Sequence, residues 1–159
     1  MARTPRMTRP PADDLRLATV VRVIYADTDQ MGYVYHGTYA RFLEAARVEF
    51  MRSLGHTYAA VEAEGLGMPL TDLAISYISP ARYDDLLSIH VGLAELTYAR
   101  LRFGYHVCVE PGGRVGLAAR QTIIYAETCH CCIHLADGRP TRFPDSLRST
   151  LRGLVPDDD

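Results

Sequence analysis

The sequence lacks any apolar run long enough to span a membrane, and it lacks a strong charge of either sign, with a formal net charge of -2 over 159 residues. Without a basic stripe, or basic residues interleaved with aromatics, it offers no footprint for nucleic acid. No Gly-x-Ser-x-Gly elbow occurs, which removes the serine hydrolases built on that turn. No Walker loop occurs either, and Gly65-Leu66-Gly67 lacks the rest of a dinucleotide fingerprint. No internal repeat or composition break marks a second domain, and the length suits one domain that buries its own core. The start shows no apolar signal-peptide core, and the four cysteines crowd between Cys108 and Cys132 instead of forming a framework. Reduced thiols, a cytoplasmic location and no membrane insertion are the expectation.

What is present reads in order. Residues 1–14 carry Arg3, Arg6, Arg9 and three prolines without apolar periodicity, and are expected to be a mobile tail. One domain is expected over 15–155, with a frayed acidic end over 156–159. A β-branched run from Thr19 to Ile24 predicts a strand. Between Gly37 and Gly55, residues Tyr39, Phe42, Leu43, Ala46, Phe50 and Leu54 follow helical spacing. Ala40, Ala45, Val48 and Met51 widen that apolar face, so a helix over 38–54 wrapped by a sheet is expected. A shorter helix is expected over 58–64.

From Met68 to Leu135 the pattern alternates with period two, as in Leu87, Ile89, Val91, Leu93 and in Leu101, Phe103, Tyr105, Val107, Val109. Pro111-Gly112-Gly113 predicts a turn joining strands near 100–110 and 114–135. Small residues at Gly116, Ala118 and Ala119 would let a helix lie close to the last strand. The sum is an α+β fold: an antiparallel five-stranded sheet around a central helix. Its open edges invite pairing with another chain.

The chemistry is concentrated between that first strand and the helix. Tyr25, Asp27, Asp29, Gly32, Tyr33, Tyr35 and His36 share one loop that runs into a helix N-terminus, whose unpaired N–H groups suit a developing oxyanion. An aspartate in a loop often only ties a turn, but it can also act as nucleophile or general base. His36 offers an imidazole that can move a proton or simply bond backbone. Tyr25 suits positioning better than proton transfer, since a phenol ionises near pH 10. Gly32 suits a backbone conformation closed to other residues, or close approach of a bound substrate. Glu44 and Arg47 are spaced to pair across one helical turn. Cys129, His130, Cys131, Cys132 and His134 look like metal ligands, but strand alternation splits them between two faces. No metal is expected there; buried cysteine as a small apolar group is the simpler reading.

The loop resembles the acyl-CoA thioesterases of the hotdog-fold superfamily, nearest to the 4-hydroxybenzoyl-CoA thioesterase-like group. That group includes the short-chain acyl-CoA thioesterases encoded beside the bacterial Tol–Pal system. The matching positions are Tyr25, Asp27-Thr28-Asp29, Gly32, Val34-Tyr35-His36, Tyr39, Phe42, Glu44 and Arg47, with weaker likeness through Tyr83-Asp84-Asp85 and Asp137-Gly138-Arg139-Pro140. The resemblance implies a hotdog fold, thioester hydrolysis with Asp29 as the catalytic carboxylate, and Tyr25 and His36 assisting. A helix glutamate serves another branch, which keeps Glu44 as a second candidate. It implies no cofactor, because coenzyme A is part of the substrate. It also implies a homodimer or homotetramer with sites at the subunit interface. Arg82, Arg100 and Arg102 are candidates for the coenzyme A phosphates; Tyr33, Tyr35 and Tyr77 are candidates for the acyl pocket. The residues leave open a direct or water-mediated attack, a carrier-protein donor, and a non-catalytic acyl-CoA binder.

Overall fold

The structure, a computed structural model, describes residues 6–155. The expected frayed end and residues 1–5 of the expected tail lie outside the described residues. The elements are β1 (Arg16–Arg22), α1 (Thr38–Ser53), α2 (Tyr58–Ala63), β2 (Leu66–Gly67), β3 (Leu70–Tyr77), β4 (Leu86–Leu96), β5 (Arg100–Val109), β6 (Gln121–Cys131), β7 (Ile133–His134) and α3 (Asp145–Arg152). Five strands form one antiparallel sheet in the order β1-β4-β5-β6-β3, and β2 pairs with β7. With α1 packed on one face, this is the hotdog arrangement.

The period-two pattern explains the core. Leu87, Ile89, Val91 and Leu93 of β4, and Leu101, Phe103, Tyr105, Val107 and Val109 of β5, are all buried. They meet the stripe of α1, where Phe50 stands edge-on to Phe103 with ring centroids 6.1 Å apart. Each such side chain contributes about 1.5–3 kcal/mol by leaving water. Helix α1 ends in a Schellman turn: His56 N–H reaches Met51 O, Gly55 N–H reaches Arg52 O, and Gly55 has φ +84°.

Helix α1 lies against the sheet as expected, with Ala40, Glu44, Ala45 and Glu49 exposed on its other side. Three expectations need correction. The last strand begins at Gln121, and 114–120 is a loop whose Arg114 reaches back to Asp85. Helix α3 was not expected; Leu147 and Leu151, one turn apart, bury its apolar side. Finally, residues 6–14 lie on the sheet. Gly92 and Gly104 face each other across β4 and β5. A Cβ on Gly92 would come within 2.6 Å of Asp14 O, and one on Gly104 within 2.9 Å of Ala12 Cβ. The two glycines thus form a furrow that seats the segment, a contact that needs no apolar periodicity.

Two polar anchors hold this framework. Asp85, 2 % exposed, takes both arms of Arg114, with Nε–Oδ1 at 2.8 Å and Nη2–Oδ2 at 2.6 Å, and accepts Arg82 N–H at 2.8 Å. The second anchor involves Arg47, which does not pair with Glu44 as expected. It turns inward, donating from Nε to Tyr58 Oη at 2.9 Å and from Nη1 to Tyr105 Oη at 3.3 Å. Tyr105 continues to Thr128 at 2.8 Å, and Thr128 to His130 Nε2 at 3.1 Å. His130 Nδ1 lies 3.2 Å from Met68 O, which can only accept. His130 is therefore the neutral Nδ1–H tautomer, and every hydroxyl in the chain points one way.

Burial, then the charge of Arg47, pushes His130 down to about 4. The unfolded chain, with an ordinary histidine near 6.5, binds a proton that the folded chain refuses. Stability from this group is thus complete above pH 6.5 and falls as pH drops from about 6.5 towards 4. Urea midpoints measured across that window should decline, and less steeply in His130→Gln. Equal slopes in the two proteins would refute the assignment.

Candidate active site

The loop after β1 is shaped by its own carbonyls and carboxylates. Residues Tyr25–Asp27 form one 3-10 turn. Asp27, 3 % exposed, accepts Ile24 N–H at 3.0 Å and forms an ion pair with Arg41 of α1. Its carbonyl accepts Tyr35 N–H at 2.9 Å. Asp27 is therefore a structural post of the loop. Its partner Arg41 was missed. The available signal was a cation in the first turn of a helix, against the dipole, which asks for a carboxylate nearby.

Asp29 occupies the next turn. Its N–H donates to Tyr33 O at 2.8 Å, its carbonyl accepts Gly32 N–H at 2.9 Å, and its Oδ1 accepts Met31 N–H at 2.9 Å. Gly32 closes the turn with φ +78°, a conformation that penalises a side chain even though a Cβ would meet nothing within 4 Å. One carboxylate oxygen is thus committed to the turn, and Oδ2 makes no hydrogen bond among the described residues.

Asp29 and His36 line the same cleft of about 270 Å³, together with Met31, Tyr33, Val34, Tyr39, Tyr77, Ile78, Ser79 and Pro80. Asp29 is the one carboxylate among its lining residues. Helix α1 begins at this wall behind Gly37, and no side chain caps it. A Cβ on Gly37 would sit 2.7 Å from the exposed Tyr35 ring, which would have to move aside. Of the first N–H groups of α1, Thr38 N–H is taken by Tyr35 O at 2.9 Å, so a ligand in the cleft can meet only those that follow it in the first turn. His36 anchors the rim through its carbonyl, which accepts Tyr77 Oη–H at 3.0 Å. Its imidazole rests on Tyr35 at 4.3 Å and makes no hydrogen bond among the described residues. Burial pushes Tyr39 up to about 12, and burial followed by Tyr35 raises Tyr77. Both phenols stay protonated near neutrality and serve as donors, not bases.

The structure does not bring every candidate here. Tyr25 is 74 % exposed and lies flat against Tyr83, with centroids 3.9 Å apart, outside the cleft lining. Arg82 stands at the rim, 5.9 Å from the Tyr33 ring and exposed. Arg102 is held by Glu95 at 3.3 Å and Glu127 at 3.0 Å, in a separate groove that also contains Arg100. Two carboxylates compete there with any phosphate. Glu44 is exposed on α1 in a groove with Thr19, Arg41 and Glu49, away from Asp29. Met31, Ile78, Ser79 and Pro80 line the cleft without a chemical signature of their own. In the late cluster, His130 and Cys132 are buried while Cys129 and Cys131 are half-buried on the other face, as strand alternation required.

Comparison with known proteins agrees with this fold. Residues 23–151 match the family model described as the thioesterase-like superfamily. The acyl-CoA thioesterase YbgC of Haemophilus influenzae is 31 % identical over 137 residues, covering 84 % of this chain and 93 % of that protein. The acyl-CoA thioester hydrolase YbgC of Escherichia coli is 30 % identical over 128 residues, covering 80 % and 89 %. The crystal structure of the hypothetical protein TT1821 from Thermus thermophilus superimposes with a TM-score of 0.75 at 35 % identity, covering 87 % of this chain and 99 % of that one.

Proposed function

The chain belongs to the thioesterase-like superfamily, and from that premise we propose that it is an acyl-CoA thioesterase with Asp29 as the catalytic carboxylate. The observation that carries the role of Asp29 is its half-committed carboxylate at the cleft wall: Oδ1 ties the turn to Met31 N–H, Oδ2 has no hydrogen-bond partner among the described residues, and Asp29 lines the cleft beside His36.

In this reading the thioester carbonyl lies against the first turn of α1, whose N–H groups beyond Thr38, together with the helix dipole, stabilise the oxyanion. Asp29 attacks the carbonyl carbon, or removes a proton from a water that attacks it. Collapse of the tetrahedral intermediate breaks the C–S bond. The thiolate takes a proton from His36 or solvent, and water supplies the oxygen of the free acid. The route needs no cofactor. Arg82 meets the coenzyme A phosphates at the rim, whereas Arg102 is already neutralised by Glu95 and Glu127. Tyr33 and Tyr77 flank the acyl group; Tyr35 lies outside the cleft lining, against the His36 ring. Tyr25 reaches the substrate only if its stack with Tyr83 opens.

A second copy completes the site. Strand β3 is an edge of the sheet, met only at its end by Met7 N–H on Ser76 Oγ at 2.9 Å and by Arg6 on Tyr77 O; Leu70, Leu73 and Tyr77 are exposed along it, and Tyr77 also lines the cleft. Pairing β3 with another β3 covers these apolar groups and walls the cleft. No helix of the described residues is long and apolar enough to cross a membrane, and a cytoplasmic enzyme is the corresponding proposal.

Thiol release from a panel of acyl-CoAs and matching acyl carrier proteins tests the activity. Hydrolysis of coenzyme A esters is expected. Release only from the carrier protein would move the donor assignment, and tight acyl-CoA binding without release would make the protein a binder. Light scattering should give at least twice the 17.7 kDa of one chain. A monomer at micromolar concentration would end the shared-site proposal.

A further inference from the structure

Outside the cleft, the sheet face turned away from α1 gathers a second constellation. His90 of β4 and His106 of β5 are register partners, with rings 5.9 Å apart. Cys108 follows two positions along β5 and so projects to the same face. One donor atom from each of the three lies within 4.8 Å of the others. These residues are not those whose spacing looked like a metal site in the sequence.

The surroundings fit ligands better than packing groups. His90 Nδ1 is shielded from solvent and has no hydrogen-bond partner among the described residues. Such a nitrogen is costly unless something other than the polypeptide meets it. His106 Nε2 lies 2.9 Å from Thr122 Oγ1. A hydrogen bond of that kind orients a metal-binding imidazole and leaves its other nitrogen with a free lone pair. Cys108 makes only a long contact with Glu110 Oε1 at 3.5 Å, and Arg120 holds that carboxylate at 2.7 Å.

We infer that His90, His106 and Cys108 form a site for a thiophilic divalent cation of the zinc type. Two imidazoles and a thiolate suit such an ion, whereas magnesium and calcium want oxygen. Bonds of about 2.0–2.3 Å place tetrahedral ligands roughly 3.3–3.7 Å apart, so closing the site takes a small rotation of the side chains. On binding, the Cys108 S–H bond is exchanged for a sulfur–metal bond, and the proton leaves through Glu110 to solvent. Glu110 or a water takes the fourth position. The ion would brace β4 against β5, and it shares no residue with the cleft.

The test uses the full chain, reduced and stripped by dialysis against a chelator, then titrated with cobalt(II). One cobalt per chain is expected, with a thiolate-to-cobalt charge-transfer band in the near ultraviolet. Cys108→Ser should abolish the band, and Cys129→Ser/Cys131→Ser should leave it intact. His90→Gln should weaken cobalt and zinc binding by about 100-fold or more, beyond the loss of an outer-shell partner. Acyl-CoA hydrolysis, if present, should survive stripping. Absence of the band in the unaltered protein overturns the site, as does a band that outlives Cys108→Ser or vanishes with Cys129→Ser/Cys131→Ser. Cys108 is buried, so melts accompany its variant. If that variant does not fold, unchanged affinity in folded His90→Gln refutes the site.

Discussion

Asp29→Asn is expected to lower thioester turnover by about two to four powers of ten, roughly 3–5 kcal/mol of barrier, in a protein that still folds. The amide oxygen of asparagine can still accept Met31 N–H, so the turn that now uses Oδ1 at 2.9 Å survives. What disappears is the negative charge in the cleft, and with it both the nucleophile and the base. Apparent affinity should change far less, because groups remote from the carbonyl hold coenzyme A. Asp27→Asn is the matched control. It weakens the bond to Ile24 N–H and the Arg41 pair, so it should cost about 1–2 kcal/mol of stability while sparing most turnover. Arg41 is largely exposed and its share is screened by water. Folded Asp29→Asn retaining more than about a tenth of turnover would displace Asp29 from the chemistry. Glu44→Gln would then be measured next.

Arg114→Ala should give the largest loss of stability among the polar substitutions, about 3–5 kcal/mol, because it strands a buried carboxylate. Asp85 is almost fully buried, and the guanidinium of Arg114 reaches both of its oxygens. For a chain of this length the melting temperature should fall by about 10 °C. The consequence extends to the site. Asp85 also holds Arg82 N–H, and Ala81 O accepts Val34 N–H at 2.9 Å on the cleft wall. Arg114→Lys should recover only part of the loss, since one ammonium cannot take both oxygens in parallel. Calorimetry on the two variants checks this, and a shift of less than about 2 °C in Arg114→Ala would show the pair to be superficial.

Local sequence determined a large part of this protein. The apolar spacing from Tyr39 to Phe50 and the period-two runs of β4 and β5 specify one helix on one sheet, because each pattern can bury only one face. The crowded loop from Asp27 to His36 located the cleft, because turn residues, carboxylates and a helix start within ten positions leave little freedom in where they meet. The split of Cys129 from His130 and Cys132 was likewise readable from alternation alone.

Tertiary structure decided what depends on partners distant in the chain. Arg47 lies three positions from Glu44, as a pair would, yet the hydroxyls of Tyr58 and Tyr105 inside the fold capture it. Residues 6–14 carry no periodic signal, and their seat exists only because Gly92 and Gly104 come opposite each other across two strands. Alternation alone ruled out the metal-like run from Cys129 to His134, whereas only the strand register brings His90, His106 and Cys108 together from two strands. Periodicity records which face a residue occupies; register between strands decides what it touches there, and one chain segment holds no information about that.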